Sequence, residues 1–108
     1  MNTLVEDKDV EWLDLGGGIK RKVMAYDDQM MVVKVAFEAG GIGAMHSHPH
    51  TQASYVASGK FDITIDGKTK TLKGGDVYFV PSDLVHGAVC LEAGELIDVF
   101  HPLREDFL

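Results

Sequence analysis

His46-Ser47-His48 is the stretch of this sequence with the plainest capacity for chemistry. Side chains two residues apart on a strand share a face, so both imidazoles can reach one metal ion. Taken alone, such a pair reads more readily as two surface histidines. The spacing around it adds weight. Gly40 is followed after five residues by His46-Ser47-His48, after three more by Gln52 and after six more by Gly59. In a second stretch Gly75 is followed after five residues by Pro81, and then by His86. Three neutral imidazoles (His46, His48, His86) and the Gln52 amide oxygen would form an N3O donor set, suited to borderline divalent ions such as Ni, Zn, Fe, Mn or Co. No thiolate is placed to join them, which argues against a structural zinc centre of the cysteine type. On an octahedral ion, four ligands leave two positions for a chelating substrate. A neutral Gln52 leaves such a centre one charge more positive than a glutamate would; its competing reading is a strand residue near solvent. His50 follows Pro49 beside the candidate ligands. The kink at Pro49 makes its parity unreliable, and a surface role is expected for it.

A second group lies near the C-terminus. Leu96-Ile97-Asp98-Val99-Phe100 sets one carboxylate in an apolar run, and a buried charge needs a partner or a purpose. Leu96, Asp98 and Phe100 share one face of a strand. Arg104 follows closely and could pair with Asp98 or clamp a substrate carboxylate bidentately. From pattern alone, an Asp on the solvent side of an edge strand with Arg104 on an exposed tail is an equal reading. His101 falls on the opposite parity from Asp98 and Phe100 and is left out of the site.

The elements that must position these residues are strands. Lys22–Tyr26, Met30–Glu38, Gln52–Ser58, Phe61–Asp66, Lys68–Lys73, Asp76–Val80, Gly87–Leu91 and Glu95–Phe100 are short β-rich runs separated by Gly, Pro and Asp. Asp66-Gly67 is the signal for a type I′ hairpin, whose two central residues both need positive φ. About eight such strands in a chain of this length predict an all-β sandwich or barrel.

At 108 residues, with 45% hydrophobic and 25% charged residues, the chain is the size of one soluble domain. Its net charge of -7 argues against nucleic acid, and any acidic ligand needs a local positive centre. The single cysteine, Cys90, allows no internal disulfide. Met1 to Val10 is acidic rather than apolar, unlike a secretory signal, and no apolar run approaches the roughly 20 residues of a membrane span. A cytoplasmic protein without membrane contact is expected.

The two spaced stretches resemble the paired motifs of the cupin superfamily. Gln52 stands where most cupins have Glu, and Asp83 and Cys90 stand where the second motif often has Gly and Asn. The resemblance implies a single-domain cupin, a double-stranded β-helix jelly-roll barrel, with a divalent metal on His46, His48, Gln52 and His86. Residues 1–20 would form an N-terminal arm, 21–101 the barrel and 102–108 a tail. A narrower resemblance links the chain to the small cupins of bacterial pectin and alginate breakdown that linearise unsaturated uronates. It rests on Gly16-Gly17-Gly18, Arg21-Lys22-Val23, the run from Gly43 to His50, Pro81, His86-Gly87-Ala88-Val89, Asp98-Val99-Phe100 and the tail Arg104-Glu105-Asp106-Phe107-Leu108. It implies an isomerase-like enzyme opening the ring of 4,5-unsaturated galacturonate, with Asp98 and Arg104 catalytic and Phe100 and Arg104 binding substrate. A homodimer is expected from the habit of small cupins, the arm adding a strand to a neighbour's sheet. Two rival functions remain open at this level: another metal-cupin enzyme, such as a dioxygenase or sugar isomerase, and a non-enzymatic uronate-binding module. Such sensing modules sit beside a DNA-binding domain, for which these residues leave no room.

Overall fold

The computed structural model describes residues 2–108. Eight strands run in chain order: β1 (Leu13–Gly16), β2 (Ile19–Tyr26), β3 (Met31–Phe37), β4 (Ile42–His46), β5 (Thr51–Ile65), β6 (Lys68–Lys73), β7 (Val77–Val80) and β8 (His86–His101). Two single 3-10 turns, Asp7–Asp9 and Glu105–Phe107, complete the elements. The described residues contain no α-helix, and no helix long and apolar enough to cross a membrane.

All strand pairs are antiparallel. The order β1-β2-β3-β8-β5-β6 is extended by β4 on β8 and β7 on β5. β5 and β8 are long, and they pair with each other over nearly their whole length. The two ends of each strand meet different neighbours. Residues 94–100 of β8 pair with β3, and residues 86–89 pair with β4. Residues 52–55 of β5 pair with β7, and residues 60–65 pair with β6. One bent ribbon therefore serves both layers of a jelly-roll barrel. The core between the layers holds Phe37, Val56, Phe61, Ile63, Cys90 and Leu96, with a second cluster of Met31, Val33 and Phe100 toward one mouth.

The two long strands differ from the sequence reading, which also did not include β1 and β4. Gly59 and Gly94 separate predicted strands, yet each lies within or between runs of a continuous one. They mark the bend, where register shifts between Val56 and Phe61. The backbones cross so closely there that a Cβ on Gly94 would collide with the Ser58 carbonyl, and one on Gly59 would lie 2.6 Å from the Glu92 oxygen. Gly94→Ala is therefore expected to lower stability by about 2 kcal/mol, because backbone cannot yield as a side chain can. A thermal melt would register that as a fall of roughly 10 °C; an unchanged melting temperature would mean the ribbon bends elsewhere.

The hairpin at Asp66-Gly67 has φ of 50° and 79°, the two positive values a type I′ turn needs. β1 falls within the predicted arm and pairs with β2 of its own chain. Lys22 fastens the segment before it: its ammonium, almost wholly buried, meets the Asp7 carboxylate at 2.7 Å and the Asp7 and Val10 carbonyls at 3.0 and 3.3 Å. The Trp12 ring covers the same ammonium at 4.5 Å. The arm is thus bound to its own barrel, with β1 at the edge of the sheet.

Candidate metal centre

His46 ends β4 and His86 begins β8, and the two are register partners. Their ring centroids lie 4.3 Å apart. His48 lies beyond β4, in a loop, so strand parity is not what aims it. That loop is held by the turn after β7: His48 and Pro49 carbonyls accept from the Asp83 amide at 2.9 Å and the Ser82 hydroxyl at 2.6 Å. The result brings His48 to 4.8 Å from the His86 ring and 5.5 Å from the His46 ring. One ring nitrogen from each histidine falls within 4.8 Å of the others. Nitrogens bonded to one ion at about 2.1 Å lie roughly 3.0–3.4 Å apart at octahedral or tetrahedral angles, so binding would draw the three rings together.

The neutral tautomer of each ring is set by its outer partner. Nδ1 of His46, His48 and His86 lies 2.8, 3.0 and 2.9 Å from the carbonyls of Ala44, His50 and Leu84. A carbonyl only accepts, so each Nδ1 carries a proton, and in the neutral ring the lone pair is then on Nε2. His86 Nε2 is buried with no hydrogen-bond partner. His48 Nε2 faces Gln52 Oε1 at 3.0 Å. Gln52 is turned that way by its neighbours: Ser54 donates to Asp98 Oδ1 at 2.6 Å, which leaves the Ser54 oxygen to accept from Gln52 Nε2 at 2.9 Å. Two lone-pair atoms therefore face each other without a hydrogen between them, an arrangement that a cation relieves. Burial holds His48 and His86 below the ordinary imidazole pKa, which keeps both rings neutral. The three histidines and Gln52 thus fit a divalent ion as an N3O set.

Beside this cluster lies a cavity of about 280 Å³ whose walls include His46, His86, Gln52, Asp98, Phe100 and Arg104. All the residues singled out in the sequence except His48 line it. Asp98 faces inward from β8, as Leu96 and Phe100 do. Burial pushes its pKa up to about 6, against the lowering effects of the Ser54 hydrogen bond and the Arg104 and His46 charges. Phe100 is almost fully covered, packing edge-on against His48 at 5.8 Å and Phe107 at 5.7 Å.

Arg104 does not pair with Asp98 among the described residues. Its Nε and Nη2 grip Asp106 at 3.0 and 2.7 Å, because the turn at Glu105–Phe107 folds the tail back on itself. His50 is half-buried, not a surface residue, and its Nε2 meets the Leu103 carbonyl at 3.1 Å, tying the tail to the ligand loop. His101 lies exposed, bonded to the Gln29 carbonyl. Tyr78, Arg21 and Phe107, which line the cavity, and Ser54, which bonds the cavity carboxylate Asp98, had no place in the sequence reading of the site. Ser54 was within reach, since period two from Gln52 puts it on the same face. Tyr78 is its register partner on β7, with a pKa raised by burial and by Asp98.

A two-layer antiparallel barrel with histidines converging at one mouth is the architecture of a cupin, and the chain belongs to the cupin-domain family, which residues 33–100 match. Over 104 residues it is 46% identical to the pectin degradation protein KdgF of Dickeya dadantii, covering 94% of both chains. The structure of KdgF from Halomonas sp. superposes with a TM-score of 0.94 at 35% identity, over all of both chains. An RmlC-like cupin from Shewanella frigidimarina gives 0.97 at 42% identity, over 100% of this chain and 97% of the other.

Proposed function

We propose that this protein opens the ring of 4,5-unsaturated galacturonate to the linear 5-keto-4-deoxyuronate, in the breakdown of pectin or alginate. The observation that carries the reading is one cavity walled both by His46, His86 and Gln52 of the candidate metal cluster and by the buried Asp98. The similarity to a protein named for pectin degradation supports the same substrate class.

The substrate's ring oxygen joins the hemiacetal carbon C1 to the alkene carbon C5. Cleaving C1–O leaves an aldehyde at C1 and an enol at C5, and protonation at C4 completes the product. The proton lost from the C1 hydroxyl balances the one gained at C4, so the reaction is an isomerisation without redox. A divalent ion on His46, His48, Gln52 and His86 would supply Lewis acidity for the charge developing on the C5 oxygen. Asp98, with its pKa pushed up to about 6, is suited both to accept the hydroxyl proton and to return it at C4. Arg104 holds the substrate carboxylate, and Phe100 provides an apolar floor. The cavity, at the small end for ligand pockets, suits a monosaccharide. A homodimer belongs to the same proposal: Tyr55, Val77 and Phe79 lie exposed on one outward face of β5 and β7, which a second copy would cover.

Proton NMR of unsaturated galacturonate tests the reaction. With purified protein, the alkene signal is expected to give way to linear keto-uronate faster than in the blank, and a chelator is expected to abolish the acceleration. A rate equal to the blank with metal bound would return the function to a binding module or an oxygenase.

A further inference from the structure

Arg21 sits on β2, across the cavity mouth from the strands that carry the histidines. Its guanidinium carbon lies 3.8 Å from the Phe107 ring centroid, and that of Arg104 lies 4.2 Å from the same centroid. Two positive charges thus share one aromatic ring, inside the screening length of roughly 8 Å at physiological salt. Only one of them is compensated. Asp106 grips Arg104 through Nε and Nη2, the edge best shaped for a carboxylate, so that edge is already taken. Arg21 makes no ion pair and no side-chain hydrogen bond among the described residues. The remaining carboxylate of the cavity, Asp98, accepts from Ser54. In a chain of net charge -7, a half-buried guanidinium with all five N–H donors free, aimed into a cavity, stands out.

From this we infer that Arg21 is a second anion-binding residue of the cavity, contacting the substrate carboxylate and selecting an acidic sugar over its neutral counterpart. The inference rests on the uronate reading above and adds to it the residue whose donors are unoccupied. Stacking on Phe107 sets the guanidinium plane and limits the freedom lost when a carboxylate arrives. Arg104, bonded to Asp106, then contributes its remaining N–H groups from the other side of the charge pair.

The competing role for Arg21 is a purely structural one, pinning Phe107 and the tail. Calorimetric titration of metal-supplemented protein with galacturonate and with galactose separates the two, since these probes differ in the carboxylate and neither carries the reactive alkene. The wild type is expected to bind galacturonate at least tenfold more tightly than galactose. Arg21→Met keeps the aliphatic stem on Phe107 and is expected to remove most of that preference while leaving galactose binding as it was. Arg21→Lys, which restores the charge, is expected to recover part of it. Equal affinity of the wild type for both sugars would overturn the inference. So would a preference that survives in Arg21→Met, or a loss of affinity for both sugars together, in either variant that keeps the wild-type melting temperature. The ring-opening reading fails separately: an Arg21-dependent preference for galacturonate, with no acceleration in the NMR assay, would leave this site standing and remove the reaction.

Discussion

Asp98→Asn is expected to retain its metal and lose ring-opening activity by about 100-fold or more, the range that a positioned acid–base group contributes. The amide is nearly the same shape, and its oxygen can still accept from Ser54, so the chain of bonds that orients Gln52 is preserved. What disappears is the proton carried at a carboxyl held near 6. The stability effect has a definite sign. A folded-state pKa raised from 3.8 to about 6 means the folded protein binds that proton more tightly than the unfolded chain does. The carboxyl therefore favours folding below its unfolded pKa, and that contribution is lost as pH rises through about 6. Well above that pH, Asp98→Asn should melt no lower than the wild type, and in mild acid its relative advantage should shrink. Metal content by elemental analysis, thermal melts at two pH values and the NMR rate check all three points. A variant that folds, holds metal and turns over normally would remove Asp98 from the mechanism.

The second large effect is expected at His86. Removing one of three imidazoles takes away a ligand itself, so the affinity loss should exceed the 10–100-fold that losing an outer-shell partner costs. Activity of His86→Ala should fall to the rate of the blank. Without metal the variant loses the buried ring and its bond to the Leu84 carbonyl, a cost offset in part because the unpartnered buried Nε2 goes with them. A ligand that binds only the folded state raises its melting temperature. Added Ni, Zn or Mn should therefore raise the melting temperature of the wild type and leave that of His86→Ala in place. Protons compete for the same lone pairs. Because burial lowers the pKa of His48 and His86, wild-type metal binding should persist to lower pH than ordinary imidazoles would allow. An equal thermal response in the two proteins would show that this cluster is not where the ion binds.

How far the molecule could be read from its sequence depended on local pattern. Alternation in Leu96-Ile97-Asp98-Val99-Phe100 put Leu96, Asp98 and Phe100 on one face without saying which way it points, and the structure shows them as the buried set. Asp66-Gly67 announced its hairpin because the turn demands two positive φ values. β1 and β4 gave no comparable signal: all four residues of β1 and four of the five in β4 are exposed, so neither strand carries a buried periodicity to detect. Gly59 and Gly94 looked like strand ends because a glycine at a bend and a glycine at a break have the same local composition. In the site, the spacing of His46, His48 and His86 foretold their convergence. The Arg104–Asp106 pair and the place of Arg21 depend on how an irregular tail folds back, which no period describes.

The three carbonyls that fix the histidine tautomers belong to Ala44, His50 and Leu84, each two residues along the main chain from the ring it orients. No neighbouring side chain is needed for this work. Substitution at Ala44 or Leu84 can alter packing but cannot delete the acceptor, because every residue type brings the same carbonyl. The orientation of the coordinating rings is thus encoded in the path of the backbone, and point mutation around the site has little purchase on it. A one-residue insertion or deletion beside His46 or His86 would do what such substitutions cannot. Across descendants of this chain, the flanking residue types are free to drift, while the lengths of the segments 44–50 and 84–86 are not.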